Sequence, residues 1–501
     1  MSLKSFVAKI FAFVVRRKLY ADHKIAAKLQ EELLTSLIRD SSATTFGRDH
    51  GFSDIKNYEE YKSMVPVREY EDLKPYIELI KNGTPNVLWK GIPLYLSKTS
   101  GTTSGSKYIP ITKESIDNHL NGARNALLCY IGETGKVDFV DGKMIFLQGS
   151  PELEQANGIQ IGRLSGIVAH HVPNYLLKNR MPSYGVNCID DWESKVEAIA
   201  EETLHEDMRL ISGIPPWVQM YFEMLLNKSG KEKISDIFPN FSLLVYGGVN
   251  FKPYRRLIDT IIGKPVDAIE VYPASEGFIA FQDLQKGEGM LLNVNAGIFF
   301  EFVRTDQFNE ERYERIALKD VELDVNYVLV VSSNAGLWAY NLGDTVKFTS
   351  LAPYRIIVSG RIKHFTSAFG EHVIAEEVEG AINQVASELN LDIAEFHVAP
   401  LVNAVEGELP RHQWYIEMNS TPKDLDEVAK KLDTYMQHRN AYYKDLRVGN
   451  ILQELEIKLL KENAFQAYMK SIGKLGGQNK LPRLANDRLI ADVLEKYLIV
   501  S

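Results

Sequence analysis

Apolar side chains recur at helical spacing between Ala26 and Ile38, and an earlier run, Phe6-Val7-Ala8-Lys9-Ile10-Phe11-Ala12-Phe13-Val14-Val15, ends in the basic cluster Arg16-Arg17-Lys18. Both predict helices, because residues three and four apart share one side of an α-helix. From Phe46 to Pro66 the pattern breaks into polar connections, which predicts loops. Residues 1–90 therefore read as a helical packing layer. Between Val87 and about Ser359 short β-branched runs alternate with helical segments; Lys143–Leu147, Ser242–Tyr246 and Tyr327–Val331 are predicted strands. That alternation predicts an α/β sheet domain. After Gly360 the order becomes helix (Ala375–Leu389), strand (Glu395–Leu401), strand (Gln413–Met418), helix (Lys423–Tyr443), strand (Glu456–Leu460) and helix (Ala464–Ile472), as in a small α+β domain. Gly473 to Lys480 is glycine-rich and predicts a mobile loop. The expected division is a large α/β domain over 1–360, a hinge at 361–363 and a mobile α+β lid over 364–501.

Composition narrows the classes. With 501 residues, 45% of them hydrophobic, the chain has material for more than one core. It carries 66 acidic against 57 basic residues, a net charge of −9, with no Lys/Arg block to attract a polyphosphate backbone, so no nucleic-acid partner is expected. Cys129 and Cys188 are far apart and form no disulfide or metal pattern, which predicts a reducing cytoplasm. The run from Phe6 looks a little like a secretory signal, but Lys9 interrupts it and no small-residue cleavage site follows. No segment reaches the ~20 apolar residues of a membrane span, and a packed helix without membrane contact is expected.

Four segments carry candidate chemistry. Ser97-Lys98-Thr99-Ser100-Gly101-Thr102-Thr103-Ser104-Gly105-Ser106-Lys107 combines small residues, which let backbone approach an anion, with hydroxyls and amides that donate to phosphate oxygens. Gly101 and Gly105 lack the spacing of the nucleotide-kinase loop, and a stretch of this kind is also compatible with an ordinary loop. Glu276, in Tyr272-Pro273-Ala274-Ser275-Glu276-Gly277, offers a carboxylate of the type that holds Mg²⁺, or a surface glutamate in a turn. Asp344, in Tyr340-Asn341-Leu342-Gly343-Asp344, has two oxygens suited to a ribose diol, although Gly-Asp also makes a plain turn. Gly360-Arg361-Ile362-Lys363 places basic side chains beside glycine at the expected domain boundary, as a hinge or a solvated turn. Adjacent His170 and His171 seldom converge on one ion and read as structural.

Taken in order, with Arg361 seventeen residues after Asp344, these segments resemble the adenylate-forming superfamily of acyl-CoA synthetases and luciferase. Tyr272-Pro273-Ala274-Ser275-Glu276 and Gln478-Asn479-Lys480-Leu481-Pro482-Arg483 look most like the Gretchen Hagen 3 family of acyl-acid amido synthetases, over about Ser97 to Arg483. The resemblance implies an ATP- and Mg²⁺-dependent ligase that adenylates a carboxylic acid and transfers the acyl group to an amino acid. Ser100, Gly101, Thr102 and Thr103 would cradle phosphates, Glu276 would bind Mg²⁺ and Asp344 would hold the ribose. Gly247, in a segment bordering the adenine and acyl pockets, and Tyr272, Ser275 and Arg361 would complete the nucleotide site. Lys363 would be the hinge and Lys480 a catalytic cation from the lid; Arg124 and Trp217 are candidate acid contacts, with a surface arginine and a core aromatic as the plainer alternatives. Thr103 stands where the plant loop has Ser, Pro273 replaces a small residue and Asn341 stands where the plant motif has Arg. Rival readings are an acyl-CoA ligase sharing the adenylation half and a non-catalytic acid-binding protein, against which Glu276, Asp344 and Lys480 argue. No particular acid follows from the resemblance, because fold likeness does not fix specificity.

Overall fold

The computed structural model describes residues 3–102, 105–172, 178–189, 191–248, 251–305, 307–308, 314–361, 365–366, 368–369, 371, 373–402, 408–419, 422, 424–472 and 483–499. The chain divides into two compact units, one of 1–190, 194–248 and 256–362, the other of 191–193, 249–255 and 363–501.

The first unit opens with helices α1 (Leu3–Lys24), α2 (Ala26–Ser41), α3 (Thr45–Asp49), α4 (Tyr58–Met64) and α5 (Tyr70–Lys81). The expected loop from Phe46 to Pro66 thus contains two short helices. Caps make them possible: Thr44 accepts the Gly47 amide and Asn57 accepts the Glu60 amide, each at 3.0 Å, satisfying first-turn donors. Burial holds them, with Phe46 and Phe52 packed on the fully buried indole of Trp338.

Two sheets follow. The smaller has the order β2-β1-β5-β4, built from β1 (Tyr95–Thr102), β2 (Gly105–Ile111), β4 (Glu154–Ala156) and β5 (Ile159–Gly162). The larger has twelve strands. Its parallel half consists of β3 (Lys143–Phe146), β6 (Arg180–Met181), β7 (Met208–Ser212), β8 (Leu243–Gly247) and β9 (Asp267–Ala274), in the order β9-β8-β7-β3-β6. The antiparallel half adds β10 (Gly277–Phe281), β11 (Met290–Leu292), β12 (Ile298–Arg304), β13 (Arg315–Ala317), β14 (Asn326–Ser333), β15 (Tyr340–Leu351) and β16 (Tyr354–Arg361). Residues Tyr327 to Ser333 are all buried, so β14 is covered on both faces and reads as a continuous apolar run. Helices α2 to α5 cover the antiparallel half, where Leu34, Leu37, Phe46 and Ile77 share a core with Phe300, Val328 and Val330. Helix α6 (Ile116–Thr134) and α1 cover the parallel half through Ala12, Ala126 and Cys129.

The second unit contains β17 (Phe365–Thr366) paired with β18 (Val373–Ile374), and a sheet ordered β19-β20-β21 from Ile393–Leu401, Arg411–Met418 and Glu456–Leu460. The expected helix Lys423–Tyr443 is two helices, Leu425–Arg439 and Ala441–Val448. Asn440 breaks it: its backbone is extended, and its side chain accepts the Tyr443 amide at 2.8 Å to cap the second helix. A buried Glu371–His412 contact of 2.9 Å ties the segment before β18 to the sheet, and the Arg447–Asp433 pair at 2.9 Å ties the two helices to each other. Among the described residues, no helix is long and apolar enough to cross a membrane.

Candidate active site

In the first unit the expected phosphate loop is the tip of a β-hairpin. β1 and β2 run antiparallel from Tyr95 opposite Ile111 to Thr102 opposite Gly105, with an irregularity in register after Thr99. Ser100, Gly101 and Thr102 therefore lie at the end of β1, on a strand of a β-hairpin rather than at a helix start. Thr103 lies outside the described residues. Below the tip, Lys107 places its ammonium over the Tyr70 ring at 5.8 Å, while the Tyr108 amide donates to the Tyr70 hydroxyl at 2.9 Å.

A second hairpin carries Tyr272 to Glu276. Ala274 pairs with Gly277 across a two-residue connection, Ser275-Glu276, at the carboxyl end of β9. Glu276 is half-buried there. Strand β8 ends beside it at Gly247, which pairs with Val271; a Cβ on Gly247 would lie 2.2 Å from the Val271 carbonyl oxygen, so only glycine permits that approach. Trp217 is half-buried in the first turn of the helix Pro215–Ser229, which follows the carboxyl end of β7. The carboxyl ends of parallel strands are where open α/β sheets bind their ligands.

Asp344 stands within β15. Against β14, Asn341 pairs with Val330 and Thr345 with Val328, leaving Leu342, Gly343 and Asp344 as a bulge opposite one residue. Gly343 takes φ +84 there, a region that glycine enters without cost. Asn341 stabilises the bulge: its Oδ1 accepts the Gly343 amide at 2.9 Å and its Nδ2 donates to Glu69 at 2.8 Å. An arginine fork, which has no acceptor, could not make the first of these bonds. Asp344 is opposite Arg361 in the β15–β16 register.

Two side-chain contacts join these segments. Ser97 of β1, fully buried, shares a hydrogen bond of 3.0 Å with Ser275. Tyr272 donates its hydroxyl to Asp344, which is itself buried. The hairpin of Tyr272 to Glu276 thereby touches both the phosphate-loop strand and the bulge. From α6, Asn118 accepts the Phe278 amide at 2.5 Å and sets the hairpin's second strand. Asn118 carries no signal in the sequence, since its partner is a backbone atom 160 residues away; Ser97 sits inside the phosphate-loop motif.

The remaining candidates stand apart or outside. Arg124 is exposed on α6, its guanidinium over the Phe11 ring at 5.5 Å. His171 and Tyr95 share a hydrogen bond of 2.9 Å, and His170 donates to the Pro151 carbonyl at 2.8 Å. Burial pushes the His119 imidazole down to about 4, so it is neutral near pH 7. The Arg361 side chain and all of Lys363 and Lys480 lie outside the described residues.

The GH3 family N-terminal domain matches residues 15–183, its central domain 291–361 and its C-terminal domain 376–489. A jasmonoyl–L-amino acid synthetase of Nicotiana attenuata is 22% identical over 95% of this chain and 95% of its own length. An indole-3-acetic acid-amido synthetase of Arabidopsis thaliana is 22% identical with the same coverage of both chains. Among solved structures, the GH3.15 acyl acid amido synthetase superposes with a TM-score of 0.60 at 17% identity, over 97% of this chain and 96% of that one. A 2-hydroxyisobutyryl-CoA ligase holding 2-HIB-AMP and CoA gives 0.58 at 14% identity, over 94% and 91%. With its three family domains matched in order and relatives aligned nearly end to end, this chain belongs to the GH3 family.

Proposed function

We propose that this chain is an ATP-dependent acyl-acid amido synthetase, a ligase that makes an acyl-adenylate from a carboxylic acid and passes the acyl group to an amino acid. The chemistry needs two steps because a carboxylate is a poor electrophile. Attack of its oxygen on the α-phosphorus of ATP releases pyrophosphate and leaves a mixed anhydride. The amino group then attacks the acyl carbon, AMP departs and the amine loses its proton to solvent.

The observation that carries the reading is the pair of contacts Ser97–Ser275 and Tyr272–Asp344, which draws the phosphate hairpin, the Glu276 hairpin and the Asp344 bulge together. In this reading Ser100, Gly101, Thr102 and Thr103 donate to phosphates, Asp344 accepts ribose hydroxyls, and Gly247, Tyr272, Ser275 and Arg361 complete the nucleotide site. The half-buried Glu276 carboxylate, at the tip of the hairpin that reaches toward the phosphate strand, suits a hard cation. Glu276 would hold Mg²⁺, which supplies neutralising charge to the phosphates. Lys480 as catalytic cation, Lys363 as hinge, and the division into 1–360, 361–363 and 364–501 follow the family pattern. Trp217 is the proposed acid contact, and Arg124, exposed on α6 over the Phe11 ring, is not carried into the site. Both cysteines are free thiols, which suits the reducing cytoplasm proposed for the enzyme.

The test is ATP–pyrophosphate exchange over a panel of aromatic and aliphatic acids, followed by mass spectrometry of products formed with amino acids or with CoA. Acid-dependent exchange and an amide product are expected. A thioester in place of the amide would reassign the acceptor, and absence of exchange with every acid would end the reading.

A further inference from the structure

Helix α1 is apolar on both sides. Ala12 is fully buried against the core that α6 shares, with Ala8, Val15 and Leu19 packed on it. The opposite side displays Phe6, Val7, Ile10, Phe11, Phe13 and Val14, each between 44% and 65% exposed. A surface helix ordinarily turns polar residues to solvent; here, among the described residues, only the Arg124 guanidinium over Phe11, at 5.5 Å, is seen against the outward stripe. Lys4, Lys9, Arg16, Arg17 and Lys18 accompany it, and no acidic residue precedes Asp22, in a chain whose net charge is −9. The helix is firmly seated: Ser5 donates to Asp141 at 2.8 Å, and Tyr20 donates at 2.6 Å to Asp283, which also receives Arg355 at 2.8 Å.

We propose that the outer face of α1 docks the protein on an anionic lipid bilayer, lying in the plane of the interface. Charge complementarity selects this occupant. The stripe with its basic flanks fits a negative surface, which repels the acidic remainder of the chain and so fixes which face approaches. A second copy pairing through the same face would bring the basic flanks together with only Asp22, already paired to Lys18 at 2.9 Å, as an acidic group on the helix. A convex helical ridge also needs no matching groove in a fluid bilayer, and the side chains sink without unfolding the helix.

The experiment is co-sedimentation of the full chain with vesicles of phosphatidylcholine alone or with about one third phosphatidylglycerol. Binding to the anionic vesicles, weakened by salt, is expected. Arg17→Gln with Lys18→Gln should weaken partition about thirtyfold, and Phe6→Ser with Phe13→Ser more than about tenfold, while melting temperature stays near the parent's. Equal binding to neutral vesicles, no binding to either, or an α1-dependent dimer in place of vesicle binding would each overturn the proposal.

Discussion

Asp344 is where the nucleotide assignment can be tested most directly. Its carboxylate is buried in the bulge and already accepts the Tyr272 hydroxyl, so a ribose placed there would meet an oriented, charged acceptor. A hydrogen bond to a charged group contributes about 1.5–3 kcal/mol, or roughly 10- to 150-fold. In acid-dependent ATP–pyrophosphate exchange the parent should therefore prefer ATP over 2′-deoxy-ATP by roughly that factor in kcat/KM. Asp344→Ala removes the acceptor, so exchange with ATP should fall by at least as much while the preference over 2′-deoxy-ATP disappears. Tyr272→Phe leaves the acceptor but loosens it, so the preference should survive with a smaller loss in rate. A double-mutant comparison of enzyme and nucleotide isolates the interaction from any general damage to the fold. The reasoning is refuted if Asp344→Ala lowers exchange with both nucleotides equally and the 2′-hydroxyl preference remains.

Other consequences can be measured in parallel. Lys480→Ala should lower exchange by ~10²–10³-fold, the usual loss when one group that stabilises developing charge is deleted; a loss under fivefold would remove it from the chemistry. Lys363→Pro should leave pyrophosphate exchange working while amide formation falls, and an equal fall in both would reject the hinge role. Asn118→Ala strands the buried Phe278 amide and should cost about 1–3 kcal/mol, read as a lower denaturation midpoint; an unchanged midpoint would reject the clamp. His119, held down to about 4 by burial, is protonated in the unfolded chain below about pH 6.5 but stays neutral in the folded one until about pH 4. Stability should thus fall by about 3 kcal/mol as pH drops through that window, and His119→Gln should flatten this part of a melting-temperature profile against pH.

What could be read in the chain, and what could not, divides by where each residue finds its partner. Strand β14 was legible because both its faces are covered, so the run Tyr327–Val331 needs no alternation to interpret. Helices α3 and α4 were not, because stretches of five and seven residues do not hold a helix by propensity; the Thr44 and Asn57 caps and the burial of Phe46 and Tyr61 hold them. The break at Asn440 carries a capping signal, but apolar positions on both sides continue a helical pattern through it. Around the site, the sequence marks Ser100 to Thr103, Glu276 and Asp344 as candidates because phosphates, cations and diols demand particular side-chain types. The bulge that aims Asp344 depends on the register of β14 against β15, and the Asn118 clamp on a distant amide, neither of which leaves a local pattern. Helix α1 shows the limit most clearly: an apolar run predicts a packed helix, yet with apolar residues all round, only the seated Ala12 face shows which side remains exposed. Residues that meet a ligand are constrained by chemistry and can be recognised in one dimension. Those that position them are constrained by geometry, which is why Asn118→Ala, rather than another deletion of a charged group, separates the architecture of this site from its chemistry.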